Sequence, residues 1–381
     1  MKNVLWVFAG LVATTAASAQ SSLTLSGRID AGFRNHTQTT NDVRTGVGNV
    51  GLEQNSNGLS GSRWILRGNE DLGDGWRALF HLEQGFFIDT GAYAHTPPAA
   101  FGRAAYVGLG NSYGTVTLGF QYTMLDYLLG FHDAQSVSTN SAMFYAYNGG
   151  AVCANGATTD GGGAGVCAGR IANSMIYGTP IVNGLRAWVM YAPGEDKNST
   201  IGKRASDYWG SFIHYDSGQA AAGIGWQRLR TSDVTQPSGF RSTTTWAVSG
   251  SHSLSFGRLF AGLEKGTIST SSASDVGWSL GLTAPVGPLN MAIGYSFERT
   301  TDAAGARGGN RAFAGQLSYP LSRRTQLYGY FLSGKSDVTA GNMANAVTAT
   351  GLPAGVLTAL TGFAVGTVKN HWLGVGIRHD F

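Results

Sequence analysis

Charge is scarce in this 381-residue chain, where Asp, Glu, Lys and Arg together account for 13% of the residues. The formal net charge is +4, too small a basic bias to indicate a nucleic-acid partner. Cysteine is limited to two residues, and no His, Cys, Asp or Glu grouping has metal-ligand spacing. No phosphate-cradling glycine loop is present either, so neither a metal nor an organic cofactor is expected. The eight histidines (36, 81, 95, 132, 214, 252, 371 and 379) are scattered, and none stands in a catalytic spacing. Beyond the first twenty residues no uninterrupted apolar run approaches the ~20 residues that a membrane helix needs. Yet 43% of the residues are hydrophobic, too many for a disordered chain. The hydrophobicity is therefore spread thin, which suits a sheet with one face toward lipid and the other toward water.

The N-terminus carries an export pattern. Met1-Lys2-Asn3 is a short cationic start, Val4 to Ala13 is apolar, and Ala17-Ser18-Ala19 is a small-residue cleavage motif. The apolar stretch is too short to span a bilayer, so residues 1–19 are expected to be a signal peptide and 20–381 the mature domain.

From Ser22 onward the apolar period is two. In Ser22–Phe33 the odd positions are apolar or small and the even ones carry Thr, Ser, Arg, Asp and Gly. Comparable segments recur to the C-terminus and give sixteen strands, an even number that suits a bacterial barrel. Their connections alternate between short turns, such as 69–75 and 110–114, and longer segments: 34–57, 87–100, 122–169, 194–205, 231–241, 268–275, 301–310 and 335–367. Short turns on one rim and long loops on the other are the mark of an outer-membrane β-barrel, with the long loops outside the cell. A sheet in lipid must also close on itself, because its backbone groups find no water there. Tyr113, Tyr191, Tyr208 and Trp209 near strand ends suit the interfacial aromatic girdles. The last strand alternates through Leu373, Val375, Ile377 and His379 to a terminal Phe381. That pattern resembles the signal by which the outer-membrane assembly machinery recognises its clients.

The segments Ser22–Gly32, Gly61–Gly73, Phe101–Leu109, Tyr113–Gly119 and Gly376–Phe381 together resemble the general trimeric porins of Gram-negative bacteria, most closely the β-proteobacterial branch. The resemblance covers essentially the whole mature chain. It implies an all-β, sixteen-stranded antiparallel transmembrane barrel whose long third loop folds into the lumen. It further implies a homotrimer embedded in outer-membrane lipid, passing inorganic ions and small polar solutes without an energy source. Loop 122–169 is then the constricting loop. The family's ladder of wall arginines falls on Arg28, Arg63, Arg103 and Arg170. Alternation by itself places Arg28, Arg63 and the strand neighbour Arg67 on the inner face; for Arg103 and Arg170 small residues occupy both faces. A charge facing lipid costs ~2–4 kcal/mol at mid-bilayer, whereas in the lumen it is solvated and acts across a confined passage. Each arginine could instead pair with a neighbouring carboxylate such as Asp30 or Glu83.

In place of the family's acidic Pro-Glu-Phe-Gly-Gly segment, the third loop reads Tyr122 to Asp133 with Asp126 and Asp133 as its acidic members. Fewer carboxylates against several arginines predict anion preference. Cys153 and Cys167 lie in the same loop. In an oxidising compartment they could pair, for about 3 kcal/mol in the chain-entropy model, or stay as free thiols. Three other functions compete with the porin reading: a hydrolase barrel, which lacks its catalytic groups, a surface adhesin, and a substrate-specific channel. Tyr122, Tyr127, Phe131, Phe144 and Tyr145 keep the last open by making the constriction aromatic.

Overall fold

The computed structural model describes residues 21–41, 43–46, 51–52, 59–94, 100–136, 141–143, 169–194, 207–232, 240–302, 304–339 and 365–381. The expected signal peptide and both cysteines lie outside the described residues.

Among the described residues, one antiparallel sheet holds every strand. In chain order these are β1 (Ser22–Thr40), β2 (Val43–Gly46), β3 (Gly51–Leu52), β4 (Arg63–Gly73), β5 (Trp76–Gly85), β6 (Ala104–Asn111), β7 (Gly114–Tyr122), β8 (Arg170–Gly178) and β9 (Leu185–Ala192). Then follow β10 (Tyr208–Asp216), β11 (Ala220–Ser232), β12 (Phe240–Leu254), β13 (Gly257–Ile268), β14 (Ser274–Val286), β15 (Leu289–Thr301), β16 (Arg307–Pro320), β17 (Thr325–Thr339) and β18 (Val365–Asp380). β2, β3 and β4 are successive pieces of one wall strand, because each pairs with β1 further toward its N-terminus. The wall therefore has the expected sixteen strands. β18 pairs with β1 from Arg28↔Asp380 to Thr40↔Val368, which closes the cylinder and leaves no edge.

Alternation sets the two faces. Leu23, Leu25, Val107, Leu109, Leu263, Leu373 and Val375 are exposed on the outside, as residues facing lipid must be. Asp30, Glu83, Gln121, Ser249 and Ser296 are buried on the inside. Phe381 lies near the rim of short turns, where it exchanges backbone hydrogen bonds with Gly27. Two of those turns are two-residue hairpins whose central residues both have positive φ: Asp74 (50°) with Gly75 (76°), and Asn183 (50°) with Gly184 (81°). The right-handed twist of paired strands favours that geometry, and Asp-Gly and Asn-Gly adopt it most readily.

The opposite rim differs from expectation in two ways. Strands run further than the alternation indicated, so the connections expected at 268–275 and 301–310 shrink to the few residues between β13 and β14 and between β15 and β16. β1 also continues to Thr40 and pairs back along β2 and β3, which turns much of the expected 34–57 loop into wall. Of the four girdle residues, Tyr208 is a correction. Next to an outward Trp209 it must point inward, and it is fully buried there, its hydroxyl donating to Gln227 Oε1 and accepting from the Met124 N–H. Trp209 faces out and packs against Tyr191 at 4.5 Å between ring centroids.

Candidate functional site: the lumen constriction

After β7 the chain leaves the wall as helix α1 (Met124–Phe131) inside the barrel. Thr123 caps it, its hydroxyl accepting from the Asp126 N–H at 3.4 Å, and Asp126 in the first turn suits the helix dipole. Its apolar stripe, Met124, Leu125, Leu128 and Leu129, is buried with Met190, Phe212 and Leu229 of β9, β10 and β11. The stripe fits because β11 presents glycines beneath it. A Cβ on Gly223 would stand 2.4 Å from Leu128 Cδ1, and one on Gly225 would stand 2.5 Å from Leu125 Cδ2. The loop then continues along the inner wall. His132 Nδ1 meets Ser249 Oγ of β12 at 2.7 Å, and the Ala142 carbonyl accepts from Ser296 Oγ of β15. Burial, with His214 and Arg258 nearby, holds the His132 imidazole down at about 4, so it is neutral at pH 7. The described part of the third loop thus lines the β9–β16 side of the lumen.

Arginines line the other side. Arg28 and Arg63 stand directly opposite each other in register on β1 and β4. Gly85 opposes Arg63 on β5, and its missing side chain makes room for Arg103, whose Cδ is 3.0 Å from where a Cβ would be. Arg103 donates from Nε to Glu83 Oε1 at 2.6 Å, and Arg63 donates to the same oxygen from Nη1 at 3.1 Å. The Arg170 Cζ lies over the Tyr122 ring, 4.2 Å from its centroid, and both Arg170 and Arg103 donate to the Tyr122 hydroxyl, at 2.8 and 2.9 Å. Arg67 donates to His81 Nδ1 at 3.1 Å, one step toward the short-turn rim. All five arginines singled out from the sequence therefore stand inside the barrel along the arc of wall from β1 to β8. Several have carboxylate partners: Arg28 pairs with Asp380 at 2.5 Å, and Glu83 serves both Arg63 and Arg103.

The two acidic loop residues separate. Asp126 faces the arginines, and Arg170 and Arg103 act on it electrostatically. Asp133 Oδ1 instead accepts from the Gln135 N–H in the turn after α1, beyond His132. Sequence reasoning missed Arg378, an inner-face arginine of β18 that is 3.5 Å from Asp380. The alternation that turned Ile377 and His379 outward already contained it. Arg77 and Arg186 extend the basic lining toward the short-turn rim, where Arg186 lies 4.4 Å over the Trp188 ring.

A closed sixteen-stranded wall with an inward-folded third loop opposite an arginine arc is a pore architecture. The sequence profile described as Gram-negative porin matches residues 7–339. The chain belongs to the Gram-negative porin family. This porin is 31% identical to the outer membrane porin protein 32 of Delftia acidovorans over 394 aligned residues that cover all of both chains. Among solved structures, the anion-selective porin from Comamonas acidovorans superposes with a TM-score of 0.70 at 24% identity, over 95% of this chain and 100% of that one. The trimer form of OmpT from Vibrio cholerae gives a TM-score of 0.61 at 12% identity, over 95% and 99%. The porin is an integral β-barrel of the Gram-negative outer membrane, a water-filled channel for passive diffusion of ions and small hydrophilic solutes.

Proposed function

We propose that this porin is an anion-preferring channel that works as a homotrimer, with Arg28, Arg63, Arg67, Arg103 and Arg170 as its basic wall and Asp126 as the acidic group facing it. One observation carries the reading: these arginines, joined by Arg378, outnumber the carboxylates Asp30, Glu83, Asp126 and Asp380 in the same stretch of lumen. In a narrow passage with low-dielectric walls that surplus attracts anions and repels cations. The anion selectivity of the Comamonas acidovorans porin agrees with this, and the trimer form of the Vibrio cholerae channel supports a threefold assembly. Phe381, exposed at the end of the closing strand, is proposed as the residue presented to the assembly machinery.

Planar-bilayer recordings across a KCl gradient should give reversal potentials favouring Cl⁻ over K⁺. Replacing Arg103 and Arg170 by glutamine should bring them toward zero. A wild-type channel favouring K⁺ contradicts the proposal.

The selectivity should also depend on pH through Asp126. Burial pushes this carboxyl up to about 6, against the pull of Arg170 and Arg103. It is charged at pH 7.5 and mostly protonated at pH 5. Acidification therefore removes a negative charge facing the arginines, and Cl⁻ preference rises. Asp126→Asn should show the raised preference at both pH values; a variant that retains the full pH response assigns it to another group.

A further inference from the structure

Three carboxylates that the conduction mechanism does not use meet on the inner wall of β13, β14 and β15. Glu264 and Glu298 stand on either side of Gly277, in register as Glu264↔Gly277 and Gly277↔Glu298. No side chain separates them across β14. Asp275, two residues along β14 on the same face, leans over β13: a Cβ on Gly266 would stand 2.6 Å from its Oδ1. One oxygen from each of the three residues lies within 4.8 Å of the others. All three are buried, with exposures of 4% for Glu264, 4% for Asp275 and 0% for Glu298. Their spacing along the chain gives no hint of this grouping, which the hairpin register creates.

We propose that these three residues bind one calcium ion. Buried carboxylates need a compensating partner, as Glu83 has in Arg63 and Arg103. Glu264 has none of that kind among the described residues: the charged groups acting on it are Asp275 and Glu298, both of its own sign. Its Oε2 and the Glu298 Oε1 are buried and accept no hydrogen bond among the described residues. Asn310 donates from Nδ2 to the other Glu298 oxygen at 2.7 Å, which orients that carboxylate and leaves Oε1 for a ligand. Oxygens of like charge, brought together without hydrogen bonds, call for a cation. Every donor is a hard oxygen, with no His or Cys among them, which selects Ca²⁺ or Mg²⁺ over transition metals. Ligands at roughly 2.3–2.6 Å from one Ca²⁺ stand up to about 5 Å apart, and the three oxygens fall within that span. Mg²⁺ keeps several waters and uses one or two carboxylates, so three converging ones favour Ca²⁺. The cluster lies close to the strand ends at Ile268, Ser274 and Thr301. The ion therefore enters from the outer medium and clips three strands together at the long-loop rim.

The test is equilibrium binding of radioactive Ca²⁺ to the purified barrel, refolded in uncharged detergent without lipopolysaccharide and freed of metal with EGTA. One ion per chain should bind with a Kd of roughly 0.1–1 mM, the range of extracellular calcium sites. Glu264→Gln and Glu298→Gln should each weaken binding at least about tenfold, because affinity follows the number of charged ligands. Glu70→Gln, which alters an exposed carboxylate of β4, should bind as the wild type does. Heat-modified gel mobility separates loss of the ion from loss of the fold. Ca²⁺ should raise the wild-type midpoint, since the ion binds the folded barrel and not the unfolded chain. Glu264→Gln removes a repulsive charge, so its midpoint in EGTA should equal or exceed that of the wild type and should not respond to Ca²⁺. The proposal fails if no ion binds at ~10 mM Ca²⁺, well above that range, which would mean that the carboxyls share protons instead. It also fails if both glutamine variants bind as tightly as the wild type, or if Mg²⁺ displaces the ion at equal concentration.

Discussion

Glu83→Gln should both loosen the barrel and sharpen its anion preference. The Glu83 side chain is 6% exposed, and the Arg63 and Arg103 side chains that converge on its Oε1 are 18% exposed each. His81 Nε2 lies 3.3 Å from its second oxygen. Glutamine keeps the shape but loses the charge, and it turns an N–H₂ group toward groups that are themselves donors. Breaking a buried pair from one side leaves an uncompensated charge, at a cost of about 3 kcal/mol, the low end of the usual range because both guanidinium groups retain some contact with the lumen. The loss should appear as a lower midpoint in heat-modified gel mobility. One negative charge fewer beside the arginines should move the reversal potential further toward Cl⁻. Adding Arg103→Gln should recover part of the stability, because it removes one of the stranded charges. A Glu83→Gln barrel as heat-resistant as the wild type would show that Glu83 does not hold the arc together.

The wall was legible in the sequence because a period of two, once started, assigns every side chain to a face until something breaks it. Arg28, Arg63 and Arg67 could be placed for that reason. Arg103 and Arg170 could not, and the structure shows what broke the alternation. Phe101 has a φ of 60°, so Arg103 leaves a bend rather than a strand. Asn173 has a φ of 53°, and the β7–β8 register shifts between Gly119 and Gln121, so Arg170 lies beyond a bulge. Nothing local announces either irregularity. Helix α1 was hidden for a different reason. Eight residues inside a long loop are too few to form a helix without tertiary packing, and the surface that stabilises α1 comes from β9–β12, 60 to 120 residues away in the chain. Tyr208 shows the opposite failure: an aromatic near a strand end suits a girdle by composition, and only strict parity with Trp209 reveals that it supports the loop instead. Strand ends were underestimated wherever Thr, Ser and Gly continue a strand above the lipid, as in β12, where the apolar signal fades but the pairing does not.

α1 occupies the lumen on the β9–β12 side, and Gly225 lies beneath it where a Cβ would meet Leu125 and Leu128. Gly225→Leu should therefore reduce single-channel conductance more than any single change to the arginines. The new side chain would enter space held by Leu125 Cδ2, Leu128 Cδ2 and the Cβ of Phe212, which stand 2.5, 3.0 and 3.3 Å from the position of its first carbon. The β11 backbone is fixed by full pairing with β10 and β12, so the helix yields rather than the strand. Its way out is into the lumen. Over-packing of this kind costs about 1–3 kcal/mol, too little to unfold a closed sheet but enough to move one short helix by a few ångströms, and conductance should fall to roughly half or below. Truncating the obstructing side chain in the double variant Leu125→Ala, Gly225→Leu should let the helix settle back and restore most of the current. If Gly225→Leu conducts as the wild type does, α1 does not set the width of the pore. If it conducts poorly and the second substitution brings no recovery, the lost current has a cause other than crowding between α1 and β11.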